Sequence, residues 1–178
     1  SVMETVPAAP YYITHLVSGI NEYWVIGALA AIHVYDNTSK TDTLNGAINA
    51  SVTTLTLDST TDFETAGTVT VGAEQITYTG KTSTTFTGCT RGANSSTAAS
   101  HLDNAVVTRT KKWYDITRSS GAYSTTAAEN WAATVIGGVL IMTNKVDDPQ
   151  YWALAAGVPA TAQKMQDLNN WPSVTALD

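Results

Sequence analysis

Asp147 and Asp148 are the only adjacent acidic residues in the chain, and Pro149 follows them. Paired carboxylates are the acid and base of glycoside hydrolysis and the oxygen ligands of calcium sites. Glu129, the nearest carboxylate upstream, completes the set that a polysaccharide hydrolase would use. The calcium spacing DxDxDG is absent, and two Asp before a proline are also what a turn uses to accept its own backbone N–H groups. The turn is the simpler reading. The three histidines, His15, His33 and His101, show no HExxH or His-x-His spacing. His33 alternates against Ile32 and Val34, which suits a cross-strand hydrogen-bonding role better than ligation.

Cys89 is the sole cysteine, so a disulfide framework and a Cys-based zinc site are both excluded. Its setting, "FTGCTRG", reads as a strand entering a turn, with the thiol as a small filler and only His101 nearby as a partner base. The run "GKTSTT" from Gly80 resembles the end of a phosphate loop, but Gln75 stands where that loop needs its first glycine. Tyr11, Tyr12, Tyr151 and Trp152 are types that stack on sugars, although core or subunit packing is the commoner use. We assign no catalytic, cofactor-binding or metal-ligating residue from these patterns.

The elements that would position such groups are strands. The 178-residue chain is 43% hydrophobic and only 13% charged, enough for one ordinary domain or two small ones. Its net charge of −6 does not supply the Lys/Arg surface that drives nucleic-acid binding. The apolar runs are too short for the roughly 20 residues of a membrane helix.

Composition divides the chain in three. Residues 1–40 and 109–178 are rich in Trp and Tyr, whereas 41–108 are rich in Thr, Ser and Gly and contain no Trp. That pattern predicts a domain inserted at a hairpin tip, between the alternating strands "IHVYDN" and "KKWYDITR". The insert's closely spaced glycines predict short strands in a small barrel or sandwich, with one helical turn in "SSTAASHLDNA". A short helix is expected in "ATAQKMQDL", within a long connection or the start of a third repeat. Two related phrases, "VIGALAAI" from Val25 and "VIGGVLIM" from Val135, lie 110 positions apart, each following a Trp. Removing residues 41–108 brings their spacing to 42, inside the roughly 40–50 of propeller blades. Each phrase is read as a buried inner strand of successive blades.

The flanking text, "NEYWVIGALAAIHVYDN", "KKWYDITR", "ENWAATVIGGVLIMTNKVDDPQYW" and "NNWP", resembles the nozzle (tail-tubular or DNA-stabilisation) proteins of short-tailed bacteriophages. The segments "GTVTVGAEQITYTGKT" and "TGCTRGANSSTAASH" are similar to a small β domain that recurs in phage structural proteins. The resemblance implies an all-β fold: a partial β-propeller of about two blades, a fragment of a longer chain, carrying an inserted β domain. It implies a virion structural protein without enzymatic activity or cofactor. The expected partners are copies of itself in a ring, the head-to-tail adaptor, other tail or fibre proteins, and genomic DNA passing through the lumen without sequence-specific binding. No membrane helix is expected. The alternatives are a receptor- or carbohydrate-binding tail module, with the insert as its adhesive part, and a polysaccharide hydrolase fragment using Asp147, Asp148 or Glu129.

Overall fold

The computed structural model describes residues 5–126, 131–154 and 164–168. They form β1 (Tyr12–Ser18), β2 (Asn21–Gly27), β3 (Ile32–Asp36), β4 (Thr41–Thr43), β5 (Leu55–Thr56), β6 (Gly67–Val71), β7 (Glu74–Tyr78) and β8 (Gly80–Lys81). There follow β9 (Thr85–Thr87), β10 (Val106–Arg109), β11 (Trp113–Asp115), β12 (Ala132–Ile136), β13 (Val139–Thr143), β14 (Gln150–Ala153) and β15 (Gln166–Asp167). The fold is all-β, and among the described residues the sheets are antiparallel and none closes into a barrel.

Two compact units divide the chain: a host unit, Ser1–Thr38 with Lys111–Asp178, and an inserted unit, Ser39–Thr110. The expected edges at 41 and 108 fall two residues inside these limits. The strands expected to flank the insert do pair, with Trp113 opposite Tyr35, Tyr114 opposite Val34 and Asp115 opposite His33.

The host unit holds two four-stranded sheets, in the orders β1-β2-β3-β11 and β12-β13-β14-β15. In the first, period-2 alternation sends Leu16, Tyr23, Val25, Ile32, Val34 and Tyr114 to one face, where they are buried. The opposite face carries His15, Trp24, Tyr35 and Trp113 directly across the four strands from one another. His15 and Trp24 stack at 4.5 Å, and Tyr35 meets Trp113 at 5.3 Å. In the second sheet Leu140, opposite Trp152, and Met142 point into the same core as the first sheet's buried face. Edge-to-face ring pairs tie that core together, Tyr23 with Trp152 at 5.1 Å and Tyr123 with Trp131 at 4.8 Å. The Trp131 indole N–H donates to the Ala28 carbonyl at 2.9 Å, which leaves its ring against Gly27.

The inserted unit has one sheet ordered β4-β10-β6-β7 and another ordered β5-β9-β8. Leu44, Leu55, Leu57, Val69, Ile76, Phe86 and Val107 are buried completely in the core that the two sheets share. Tyr78 stacks on Phe86 at 4.0 Å, and Phe63 meets Phe86 edge-on at 5.2 Å. Of the barrel and the sandwich expected here, the barrel does not form: two open sheets share the core.

Several expectations are corrected. Neither repeated phrase is a strand. Each runs through a hairpin turn, the first from β2 into β3 and the second from β12 into β13. They occupy different hairpins of their sheets, so they are not equivalent positions, and Trp24 and Trp131 do not correspond either. Matching the sheets strand by strand pairs the two-residue loops Gly19-Ile20 and Gly137-Gly138 instead. These glycines adopt positive φ, as the tight hairpins require. The loops lie 118 positions apart, and removal of the 72-residue inserted unit leaves 46.

The helical turn in "SSTAASHLDNA" does not form. Asn94 and Ser95 have positive φ, and the Ala99 N–H is drawn to the Glu74 carboxylate rather than to a carbonyl one turn back. In "ATAQKMQDL", residues 160–163 lie outside the described residues, while Gln166 and Asp167 pair as a strand with β14. Among the described residues, the segment beyond Asn144 supplies the third and fourth strands of the second sheet, β14 and β15. "NNWP" lies outside the described residues.

A Cβ on Gly27 would sit 2.5 Å from Trp131 Cδ1. Gly27→Ala must displace the indole and its hydrogen bond, and overpacking of this kind costs about 1–3 kcal/mol. Urea unfolding of the variant will show a correspondingly lower midpoint. The inserted unit has its own core, so residues 39–110 expressed alone will give a single cooperative thermal transition by circular dichroism.

Candidate functional site

Three side chains far apart in sequence converge in the inserted unit. Glu74 opens β7, on the same face as Ile76 and Tyr78, and is buried with them. A carboxylate in a core position needs charged partners and N–H donors to replace its water. Arg91 supplies a fork, Nε to Oε1 and Nη2 to Oε2, each at 2.8 Å. The Gly92 N–H donates to Oε1 at 3.0 Å, the Ala99 N–H to Oε2 at 3.1 Å, and His101 Nε2 to Oε2 at 2.7 Å. Arg91 also donates to the carbonyls of Asn49 and Ala99. Burial would raise the Glu74 pKa, but the hydrogen bonds from Arg91, His101, Ala99 and Gly92 outweigh it and bring it to about 2. The cluster is a buried anion with its valences filled, joining the loops around Asn49, Arg91 and Ala99 to the sheet.

The host unit has a second cluster. Arg118 donates to Asp147 at 2.7 Å and to Asp167 at 3.3 Å, and its guanidinium lies 4.8 Å from the centre of the Tyr123 ring. Asp147 also accepts from the Ser124 N–H at 2.9 Å and from Asn144 Nδ2 at 2.8 Å. Burial acts to raise the Asp147 pKa, and the Asn144, Ser124 and Arg118 donors reverse this and hold it below the usual carboxylate range. Asp167 is likewise lowered, first by Gln150, whose Nε2 donates at 2.6 Å, and further by Ser120 and Arg118 against a smaller burial effect. An open, polar cleft of about 540 Å³ borders this cluster, lined by Arg118, Ser120, Tyr151, Lys164 and Asp167 among others. The Tyr151 hydroxyl donates to Gln166.

The residues singled out from sequence fall as follows. Asp147 is tied into the Arg118 cluster as an anion and is not poised to deliver a proton. The turn it sits in is made by Asn144, whose Oδ1 accepts from the Val146 and Asp147 N–H groups at 3.0 and 2.8 Å. Gln150 Nε2 donates to the Asp148 carbonyl. Glu129 lies outside the described residues. Cys89 is buried, its thiol donating to the Phe86 carbonyl at 3.6 Å, and burial pushes its pKa up. His101, read as the thiol's only nearby base, is bonded to Glu74 instead. His33 is half-buried opposite Asp115, and burial pushes its imidazole pKa down against the pull of that carboxylate. Trp152 is a core residue, and of the four aromatics only Tyr151 lines the cleft.

Among the described residues no group of three or more His, Cys, Asp or Glu side chains could hold a metal ion. No helix there is long and apolar enough to cross a membrane. The Glu74 cluster was not identified from the sequence as a unit, although a Glu in register with Ile76 and Tyr78 signals a buried carboxylate that needs a cation. No protein-family model, curated protein or solved structure matches the chain.

With its folded pKa below the unfolded value near 4.5, Glu74 contributes stability that is complete above about pH 4.5 and is lost as the pH falls toward 2. The loss is on the order of 3 kcal/mol. Denaturant unfolding of the inserted unit between pH 6 and 2.5 will show this decline, and Glu74→Gln will be less stable at neutral pH with a flatter profile.

Proposed function

We propose that the chain is a structural subunit of the tail nozzle of a short-tailed bacteriophage, and that its host unit is two consecutive blades of a β-propeller. The observation that carries this reading is the pair of four-stranded antiparallel meanders packed on one core. Each begins with a two-residue hairpin loop, and the loops are 46 positions apart once the inserted unit is set aside. That spacing suits a blade repeat, and face-to-face packing of successive sheets is how such a fold buries its apolar faces. The first sheet's other face, with Ile13 and Val17 exposed beside the aromatic row, is the surface that a further blade would cover.

In this role the two charge clusters brace loops. Subunits of this kind form a ring below the adaptor, and the acidic balance of −6 suits a lumen through which DNA must slide. The inserted unit is a separately cored module that a ring subunit can carry without altering its own sheets. Of the three carboxylates a hydrolase could draw on, Asp147 is engaged by Arg118, Asn144 and Ser124.

Cryo-electron microscopy of the virion that contains this chain is the test. The expected result is density for the host unit in a ring on the tail axis, below the adaptor. Density away from that axis overturns the assignment.

A further inference from the structure

The open cleft beside Arg118 has a lining drawn from two places, the β14–β15 pair and the turn that follows β11. On the first, Tyr151 stands in register between Ile141 and Gln166, while Trp152 turns into the core. The polar groups of the cleft are held from behind. Arg118 is anchored by Asp147 at 2.7 Å and by the carbonyls of Gly121 and Ala122 at 3.3 and 3.2 Å. Lys164 Nζ donates to the Asp115 carbonyl at 2.7 Å. Asp167 accepts Gln150 and Arg118 on Oδ1 and Ser120 on Oδ2. The Tyr151 hydroxyl donates to Gln166 Oε1, which fixes the phenol and turns the Gln166 amide nitrogen outward as a donor.

We propose that this cleft binds a neutral sugar unit of a polysaccharide, with the ring of Tyr151 as its stacking surface. A volume of about 540 Å³ lies within the range of small-molecule sites and admits a mono- or disaccharide. Charge selects the neutral class. Both cations of the cleft already face carboxylates, Arg118 those of Asp147 and Asp167, and Lys164 that of Asp115 at 3.5 Å. A phosphate or a uronate must displace one of these partners and then meet the charge of Asp167. A hydroxyl-rich neutral ring meets no such penalty. It finds donors at Gln166 Nε2 and Lys164 Nζ, acceptors at Asp167 Oδ2 and Tyr151 Oη, and the exposed Ser119 hydroxyl as either. Donors and acceptors side by side suit the vicinal hydroxyls of a sugar, each of which gives and takes a hydrogen bond. The part-exposed Tyr151 ring supplies the flat apolar surface that the C–H face of a pyranose requires. Gln150, Ser120 and Arg118 hold Asp167 below the usual carboxylate range, so it remains an acceptor at neutral pH. Because these side chains are positioned beforehand, little ordering is left for binding to impose.

Titration of the purified chain with uncharged sugars, followed by amide NMR, decides the matter. The probes are glucose, galactose, rhamnose, N-acetylglucosamine and their linked disaccharides, with glucuronate and inorganic phosphate as the charged comparison. The expected result is saturable binding of at least one neutral probe with a Kd of about 1 mM or tighter. The shifted amides will centre on Ser119, Tyr151 and Gln166. Tyr151→Ala will weaken binding about tenfold, the worth of one stacked ring. Gln166→Ala, at an exposed position, will weaken it about fivefold by removing a donor. Both variants will keep the wild-type amide spectrum away from the cleft. The affinity will not change as sodium chloride is raised, since no charge is paired on binding. Absence of saturable binding by every neutral probe overturns the proposal, and so does binding that both variants leave undiminished. Preferential binding of phosphate or glucuronate at these amides, weakening as salt rises, overturns the choice of a neutral ligand.

Discussion

Strands of two to seven residues joined by frequent loops leave many backbone N–H groups that no ladder can pair, and side-chain oxygens must take them. This constraint governs the whole molecule. Glu74 takes the N–H groups of Gly92 and Ala99, and Asp42 those of Thr43 and Ser59. Asp103 takes Gly46, Asp36 takes Thr38, Asp147 takes Ser124, and Asn144 takes Val146 and Asp147. The acidic residues that give the chain its charge of −6 are in good part loop acceptors, so its charge follows from its architecture as well as from any partner.

A cation accompanies three carboxylates that are buried or nearly so. Arg91 does this for Glu74, Arg109 for Glu64 at 3.1 Å, and Arg118 for Asp147. Each pair ties down at least one loop, and each lies within one unit. The division of labour is plain in the inserted unit. Its apolar core holds the two small sheets together, while Arg91 and His101 hold the long segment from Cys89 to Asn104, which contains no strand.

The sequence carried the division between host and insert because composition and strand alternation both change there. It also carried the β3–β11 pairing, since both segments alternate and neither continues into the insert's pattern. The related phrases misled for a physical reason. "Val-Ile-Gly" is simply how a strand enters a tight turn, so likeness of residues there reports a hairpin and not its place in a sheet. The Glu74 cluster was equally present, as Glu74, Arg91 and His101, but its members are 17 and 10 positions apart and only the closed core brings them to one carboxylate. The helical turn was misjudged because Ser and Thr favour caps only when the N–H groups they introduce have nothing better to meet, and here Glu74 is better.

The pairing of β3 with β11 on either side of the insert has a mechanical meaning. The inserted unit hangs from a neck that the host's own hydrogen bonds close. Tension applied along the host chain must first separate Tyr35 from Trp113 and Val34 from Tyr114 before any of it reaches residues 39–110. Until then the inserted unit lies off the load path, and the β3–β11 ladder works as the fuse that protects it.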